Sequence, residues 1–445
     1  METRHFHHAL RISEEGCIGC SHCMNICPTE AIRIRGGKAI LYENRCVDCG
    51  ECFKACPVKA IYIDQDDFSR LDAFKYRVAL VPAVFIGQFP DTISRDQVYE
   101  AILECGFTHI YEVELGTTLL LAQVKEYSKT HPEKKPLISS FCPAIIRLIQ
   151  VKFPSLVGNI MLLKPPLDIT ALYCRKQLTE QGINPAEVGV FYFTPCAAKI
   201  AAIKSPVGED YSMITGVINM DFIYNKVKRI LRKDKIISTR TIANSHLPGT
   251  AICWTLTRGE SDNIPGRSLA IDEIHNVIEF LEKVENEEIT DIDFLELRAC
   301  DESCAGGVLN TANRFLIAER LHKKEPEPSH KLAIEKEGID AYQEYLSRRI
   351  SIQEIKPRSM MNLDENMAEA MKKMDKARQI MQVLPLTDCG ACGAPNCQAF
   401  ANDIVQGEAM IRQCIFVQKS REHTGELSTE ESLEILKGIW GKDKF

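Results

Sequence analysis

Cys17, Cys20, Cys23 and Cys27, the last followed by Pro28, recur as Cys46, Cys49, Cys52 and Cys56, followed by Pro57, at a constant offset of 29 residues. Ala31, Ile32 and Ile34 map by the same offset onto Ala60, Ile61 and Ile63, so each half reads as a cysteine loop, a short helix and a β-prone run. The chain therefore opens with a duplicated, thiol-bearing unit. Its 445 residues contain 19 cysteines, are 45% hydrophobic and 26% charged, and carry a formal net charge of -7. This is globular composition, with length for two to four domains. An odd cysteine count behind a start of Met1-Glu2-Thr3-Arg4-His5, with no apolar export segment, argues against a secreted disulfide framework and for a cytoplasmic chain. The longest apolar run, Val78 to Ile86, is interrupted by Pro82 and falls short of the roughly 18 to 20 residues that span a bilayer. Mild acidity gives no basic footprint for nucleic acid, which leaves metal or redox chemistry.

The CxxCxxCxxxCP spacing resembles the bacterial two-cluster ferredoxins, in which three closely spaced thiolates hold one iron-sulfur cube and the cysteine before proline reaches the other. The resemblance implies that one 4Fe-4S cluster takes Cys17, Cys20, Cys23 and Cys56, and a second takes Cys46, Cys49, Cys52 and Cys27. A pair of zinc sites is the alternative, but tetrahedral zinc gives no reason for a fourth cysteine fixed just before proline.

From about Lys75 the sequence alternates. Strands are expected at Arg77 to Ile86, Thr108 to Leu115, Leu137 to Phe141, Val188 to Phe193 and Ile292 to Leu297. Helices are expected at Asp91 to Glu104, Thr117 to Lys129, Ala144 to Lys152 and Asn219 to Leu231. Together they describe an α/β domain with a largely parallel sheet, whose ligands usually lie beyond the carboxyl ends of the strands. Cys142, Cys196 and Cys300 each follow an expected strand, and Cys304 lies four residues beyond the last. If the strands share one sheet, these four thiols converge at its carboxyl edge, with Gly306 and Gly307 letting backbone approach a bulky cofactor. Cys105, Cys174 and Cys253 read as isolated buried thiols.

Ser-Ser-Phe-Cys-Pro-Ala at 139 to 144, Thr-Pro-Cys-Ala-Ala-Lys at 194 to 199 and Ala-Cys-Asp-Glu-Ser-Cys-Ala-Gly-Gly at 299 to 307 resemble, in order, the three signature segments of the FeFe-hydrogenase catalytic domain. The resemblance implies an H-cluster: a 4Fe-4S cube on Cys142, Cys196, Cys300 and Cys304, with Cys304 bridging to a di-iron unit that bears carbon monoxide, cyanide and a dithiolate. Lys199 matches the lysine aimed at a cyanide ligand, and with Cys304 is the candidate catalytic residue; without Cys196 beside it, it would read as a solvated surface lysine. Five positions depart from the family pattern. Phe141 replaces the proton-shuttling cysteine, and a phenyl ring exchanges no proton. Ala202 replaces the next relay carboxylate, Glu302 and Ser303 replace two glycines before the bridging cysteine, and Thr194 replaces a methionine. Ligands kept and a proton path lost is the pattern of the slow, sensory branch. A domain that keeps only the cube, in a non-catalytic electron-transfer subunit, is the rival reading.

Lys323 to Lys331 reads as a solvated linker. A helical segment from Asn366 to Leu384 carries Met367, Met371, Met374 and Met381 close to one face, a pattern of adaptable packing or a partner surface. Pro385 ends it. Cys389, Cys392 and Cys397 follow, with Cys414 beyond an expected helix from Gln398 to Arg412. This set resembles the small 4Fe-4S domain of corrinoid iron-sulfur proteins and some electron-transfer subunits; a four-cysteine zinc site is the alternative. His5, His7 and His8 read as surface, and no dinucleotide fingerprint, phosphate loop, flavin signature or DNA-binding element is present. The expectation is an α/β multidomain chain. A two-cluster ferredoxin-like module spans 1–70, an FeFe-hydrogenase-like domain 75–355, and a helix with a 4Fe-4S domain 356–445. Hydrogen and protons would be its substrates, and a redox or signalling protein its partner.

Overall fold

The computed structural model describes residues 6–233, 249–323, 338–358, 360, 363–364 and 366–445. His5 and the linker beyond Lys323 lie outside the described residues. The chain divides into two compact units. Leu10–Asp64, Leu148–Pro154 and Pro357–Phe445 form one; Gln65–Arg147 and Ser155–Lys356, with the residues before Leu10, form the other.

In the first unit, β1 (Leu10–Ile12) pairs antiparallel with β4 (Ile61–Ile63), and β2 (Ile32–Arg35) with β3 (Lys38–Leu41). Gly36 and Gly37, both at positive φ (59° and 76°), close the second hairpin, a two-residue turn that requires left-handed backbone at both positions. Each cysteine loop runs into a five-residue helix, His22–Ile26 or Glu51–Ala55, so the sequence repeat is also a structural one.

The C-terminal segment belongs to this same unit. Its helices are Met367–Met381, Cys397–Val405, Ile415–Thr424 and Thr429–Trp440. The helix expected to reach Arg412 stops at Val405, and Gly407 takes a positive φ of 81° two residues on. The first of these helices buries Ala370 and Ala377 and leaves Met367, Met371 and Met374 exposed.

Strand β2 is the seam between the first 64 residues and the last 89. Ile34 N–H donates to Gly393 O, Gly36 N–H to Gly438 O and Gly37 N–H to Ile439 O, all at 2.9 Å. Across the seam Arg33, fully buried, holds Asp403 through both carboxylate oxygens, Nε–Oδ2 at 2.6 Å and Nη2–Oδ1 at 2.9 Å. Arg35 Nη2 donates to the same carboxylate at 2.8 Å and its Nη1 to the carbonyls of Cys392 (3.2 Å) and Gly393 (2.9 Å).

The second unit carries two separate parallel sheets. One has the order β6 (His109–Glu112), β5 (Tyr76–Val81), β8 (Val188–Thr194), β9 (Gly216–Asn219). The other has β10 (Ser268–Ile271), β11 (Phe294–Leu297), β7 (Leu137–Ile138). Every residue of β8 and β11 is buried, as strands covered on both faces require. The single sheet expected from sequence is thus two. β9 and β10 were hidden because each is only four residues long, and β5 stops at Val81 because Pro82 cannot continue a ladder. Helix Pro166–Glu180 lies between β7 and β8, where no helix is expected from sequence beyond Lys152.

Removing one partner of a buried ion pair strands the other's charge. Asp403→Ala is therefore expected to lower stability by about 3–5 kcal/mol, whereas Asp375→Ala, which removes the exposed partner of Arg378, is expected to change it by less than about 1 kcal/mol. Denaturant unfolding of the two variants tests this.

Candidate functional site

Four groups of thiols are the candidate sites. Cys23 lies 8% or less exposed with Cys17, and burial together with the thiols of Cys17, Cys20 and Cys56 pushes it up to about 12. Cys27 faces the other set. Burial and the Cys27 thiol raise Cys49; burial, Cys49 and Cys27 raise Cys52; and burial, Asp48, Cys27 and Cys52 raise Cys46. Cys23 also raises Cys52, so the two sets adjoin. Backbone amides serve the sulfurs in the register of the repeat: Ala31 N–H donates to Cys27 Sγ and Ala60 N–H to Cys56 Sγ, both at 3.2 Å.

Cys389, Cys392, Cys397 and Cys414 line one small pocket with Leu384 and Phe400. Cys389 is exposed and the other three are buried. Asp388 accepts from Cys397 N–H at 2.7 Å, and Asn396 caps the helix that Cys397 begins, which fixes the loop. Burial, then Cys414 and Cys389, push Cys392 up to about 11.

In the second unit, Cys142 follows β7, Cys196 follows β8, and Cys300 and Cys304 follow β11, so the thiols come from the carboxyl ends of two sheets. Burial pushes Cys196 up to about 11, with Cys304 and Cys142 adding to the rise and Lys199 opposing it. Cys304 lines a cavity whose wall it shares with Phe141, Lys199, Ala202, Tyr192 and Asp168. Lys199, 8% exposed, sets its Nζ 3.1 Å from Cys304 Sγ. Thr194 accepts from Cys196 N–H at 3.4 Å and donates to Cys196 O at 2.9 Å, so the hydroxyl ties the turn that carries the thiol.

Phe141 is buried, and its ring carries two cations. Lys199 Nζ is 4.7 Å and Arg298 Cζ 4.0 Å from the ring centroid. Arg298 is fully buried between Glu260 (2.9 Å) and Glu296 (3.5 Å), and its Nε donates to Ser303 Oγ at 3.2 Å. Burial works against its charge, but the two glutamates and Cys304 outweigh burial and raise it. Arg298, Glu260 and Glu296 were missed in the sequence. A Glu and an Arg two residues apart in a buried strand-like run, Phe-Leu-Glu-Leu-Arg, were the available signal.

Glu302 and Ser303 both take positive φ, 59° and 53°, a conformation that strains any residue with a side chain. Ser303 offsets the strain with bonds to Arg298 and, through its N–H, to Asp272 at 3.0 Å. Gly306 and Gly307 have a different reason than the one expected. A side chain at 306 would collide with Asp301 O, and at 307 with Pro195 O at 2.6 Å, so these glycines admit neighbouring backbone rather than a cofactor. Cys174 is sealed in a helix with its thiol on Ala171 O, Cys253 lies near His322, and Cys105 is half-buried at a helix end. None of the three joins a thiol group among the described residues.

Known proteins place the parts in a class. Residues 75–236 match the family described as iron only hydrogenase large subunit, C-terminal domain, 16–61 a 4Fe-4S dicluster domain, and 384–416 a putative Fe-S cluster domain. The chain is an FeFe-hydrogenase-like iron-sulfur protein with an N-terminal ferredoxin module. Its fold matches the structure titled for stepwise H-cluster assembly in HydA at a TM-score of 0.51, 15% identity, covering 65% of this chain and 98% of that one. It matches FeFe-hydrogenase HydA1 from Chlamydomonas reinhardtii at 0.51 and 14%, covering 66% and 98%. One component of the ion-translocating oxidoreductase complex is 53% identical over 36 residues in Azoarcus sp. (strain BH72) and 50% over 38 in Thiobacillus denitrificans, 8% of this chain in each case. The chain spans about a fifth of the length of those curated relatives. No helix among the described residues is long and apolar enough to cross a membrane.

The donor set fits the groups this class implies. Soft thiols in fours suit iron-sulfur clusters, and the Lys199 ammonium beside Cys304, with Arg147 in the same wall, suits an anionic unit held at that thiol. Behind the cavity, Glu114 is 1% exposed, accepts from Ala83 N–H at 2.9 Å, and is pushed by burial up to about 8. A carboxyl raised in this way favours the folded state while protonated, an advantage complete below its unfolded value and lost as pH rises through about 8. Stability should therefore fall between pH 6 and about 8.5 more steeply in the parent chain than in Glu114→Gln, measured by denaturant midpoints.

Proposed function

We propose that this chain oxidises or senses hydrogen at a di-iron centre in the second unit, and that 4Fe-4S clusters on the other thiol groups carry the electrons. The observation that carries the reading is the contact of Lys199 Nζ with Cys304 Sγ at the wall of the cavity. Cys142, Cys196, Cys300 and Cys304 would hold the cube, with Cys304 shared. When bound, the di-iron unit supplies the heterolysis of hydrogen and takes up the electrons. Lys199 offers a compact, charged donor to anionic ligands at that position, and Phe141 and Arg298 hold its surroundings apolar on one side and cationic on the other. Cys17, Cys20, Cys23, Cys56 and Cys46, Cys49, Cys52, Cys27 would hold two clusters, and Cys389, Cys392, Cys397, Cys414 a third. The exposed Cys389 suits exchange with a redox or signalling protein in a reducing cytoplasm.

Phe141 stands where the resemblance expects a proton-exchanging thiol, so turnover should be slow, as suits a sensor. Infrared spectra of the anaerobically matured protein test the reading: metal-bound carbonyl and cyanide bands are expected. Their absence would leave an electron-transfer subunit with a cube alone. Phe141→Cys is expected to raise hydrogen oxidation by roughly a hundredfold or more, the usual scale of a general acid-base group; an unchanged rate would show that the missing thiol is not what limits it.

A further inference from the structure

The cavity at Cys304 does not end at the thiol. It continues past Ala202 and Ile203 to Asp168, Glu209 and Ser212. Asp168 and Glu209 also line a second cavity of about 340 Å³, with Lys164, Asp210, Tyr211 and Arg349. Tyr211 is 67% exposed, so this outer cavity reaches the surface, and it has room for several waters. Two carboxyl groups thus form the partition between the cofactor cavity and solvent. Lys164, 6% exposed, is ion-paired with Glu209 and held against Asp168 by charge.

We propose that Asp168 and Glu209 are the proton route of this site, taking the place of the thiol lost at Phe141 and the carboxylate lost at Ala202. This inference rests on the hydrogen chemistry proposed above. Splitting one hydrogen molecule yields two protons and two electrons; the electrons leave through the clusters, and each proton crosses the inner cavity by water. It forms an O–H bond on the Asp168 carboxylate, breaks from it toward Glu209, and passes to water in the outer cavity. Glu209 accepts from Lys164, which keeps a positive charge between the two acids and lets either one ionise. Burial lifts Asp168 to about 6 against the pull of Lys164, so it both takes and gives a proton near neutrality. The other charged groups around the two cavities are Arg147 and Lys199 on the inner side and Asp210 and Arg349 on the outer.

The experiment uses the matured full chain. Asp168→Asn and Glu209→Gln are each expected to slow hydrogen–deuterium exchange with solvent by roughly tenfold or more, Asp168→Glu to restore most of the rate, and Met213→Leu, in the outer wall, to leave it unchanged. A second readout does not depend on turnover: a carboxylic acid C=O band that shifts in D2O, present in the parent and absent in Asp168→Asn. Unchanged exchange in both Asp168→Asn and Glu209→Gln, with metal carbonyl and cyanide bands intact, overturns the route and leaves the hydrogen chemistry standing. A parent protein without those bands overturns both.

Discussion

Crowding of thiols is the constraint that the rest of the structure answers to. Cys23, Cys49, Cys52, Cys196 and Cys392 are each raised first by burial and then by their own neighbours' sulfur, so every added thiolate makes the next one harder to form. Backbone amides on Cys27 and Cys46 offset part of this cost, and Lys199 does the same beside Cys196. These are partial remedies. A coordinated cation reverses the balance, because coordinating thiols are deprotonated outright and binding energy becomes folding energy.

The buried Asp403 does for the first unit what metal cannot, joining segments 370 residues apart. A lone aspartate in that position would be costly; with Arg33 bonded twice and Arg35 once, its lone pairs are largely used. Arg35 then spans to the carbonyls of Cys392 and Gly393. The third thiol group is in this way bonded to strand β2, which itself runs between the two N-terminal cysteine loops. Nothing in the local sequence around Arg33 and Arg35 announces the union, because their partner lies 370 residues away.

What could be read from sequence was what covalent spacing dictates. Thiols three and four residues apart, with a proline behind the last, already constrain their own geometry, and their repetition at 29 residues marks the pairing of the halves. Cysteines after buried strands likewise mark a carboxyl edge. What escaped depends on long-range contacts. The strands were split between two sheets by pairings that no periodicity encodes, and β9 and β10 are too short to leave a pattern. Asp168 sits in the first turn of a helix, where an acid is ordinary, and only the cavities on either side distinguish it.

Phe141 shows how one residue can be both a loss and a solution. Its ring lies within 5 Å of two buried cations, and those cations flank the loop that ends at Cys304. A thiol there would bring a proton donor but no quadrupole, leaving Arg298 and Lys199 to repel each other across a smaller side chain. The same loop bears positive φ at Glu302 and Ser303, a strain that Arg298 helps to hold through Ser303 Oγ. Phe141, Arg298 and Ser303 are therefore one mechanical unit. A chain that keeps this clamp has no proton-exchanging group at position 141, and the carboxyl groups in the wall of the same cavity are those of Asp168 and Glu209.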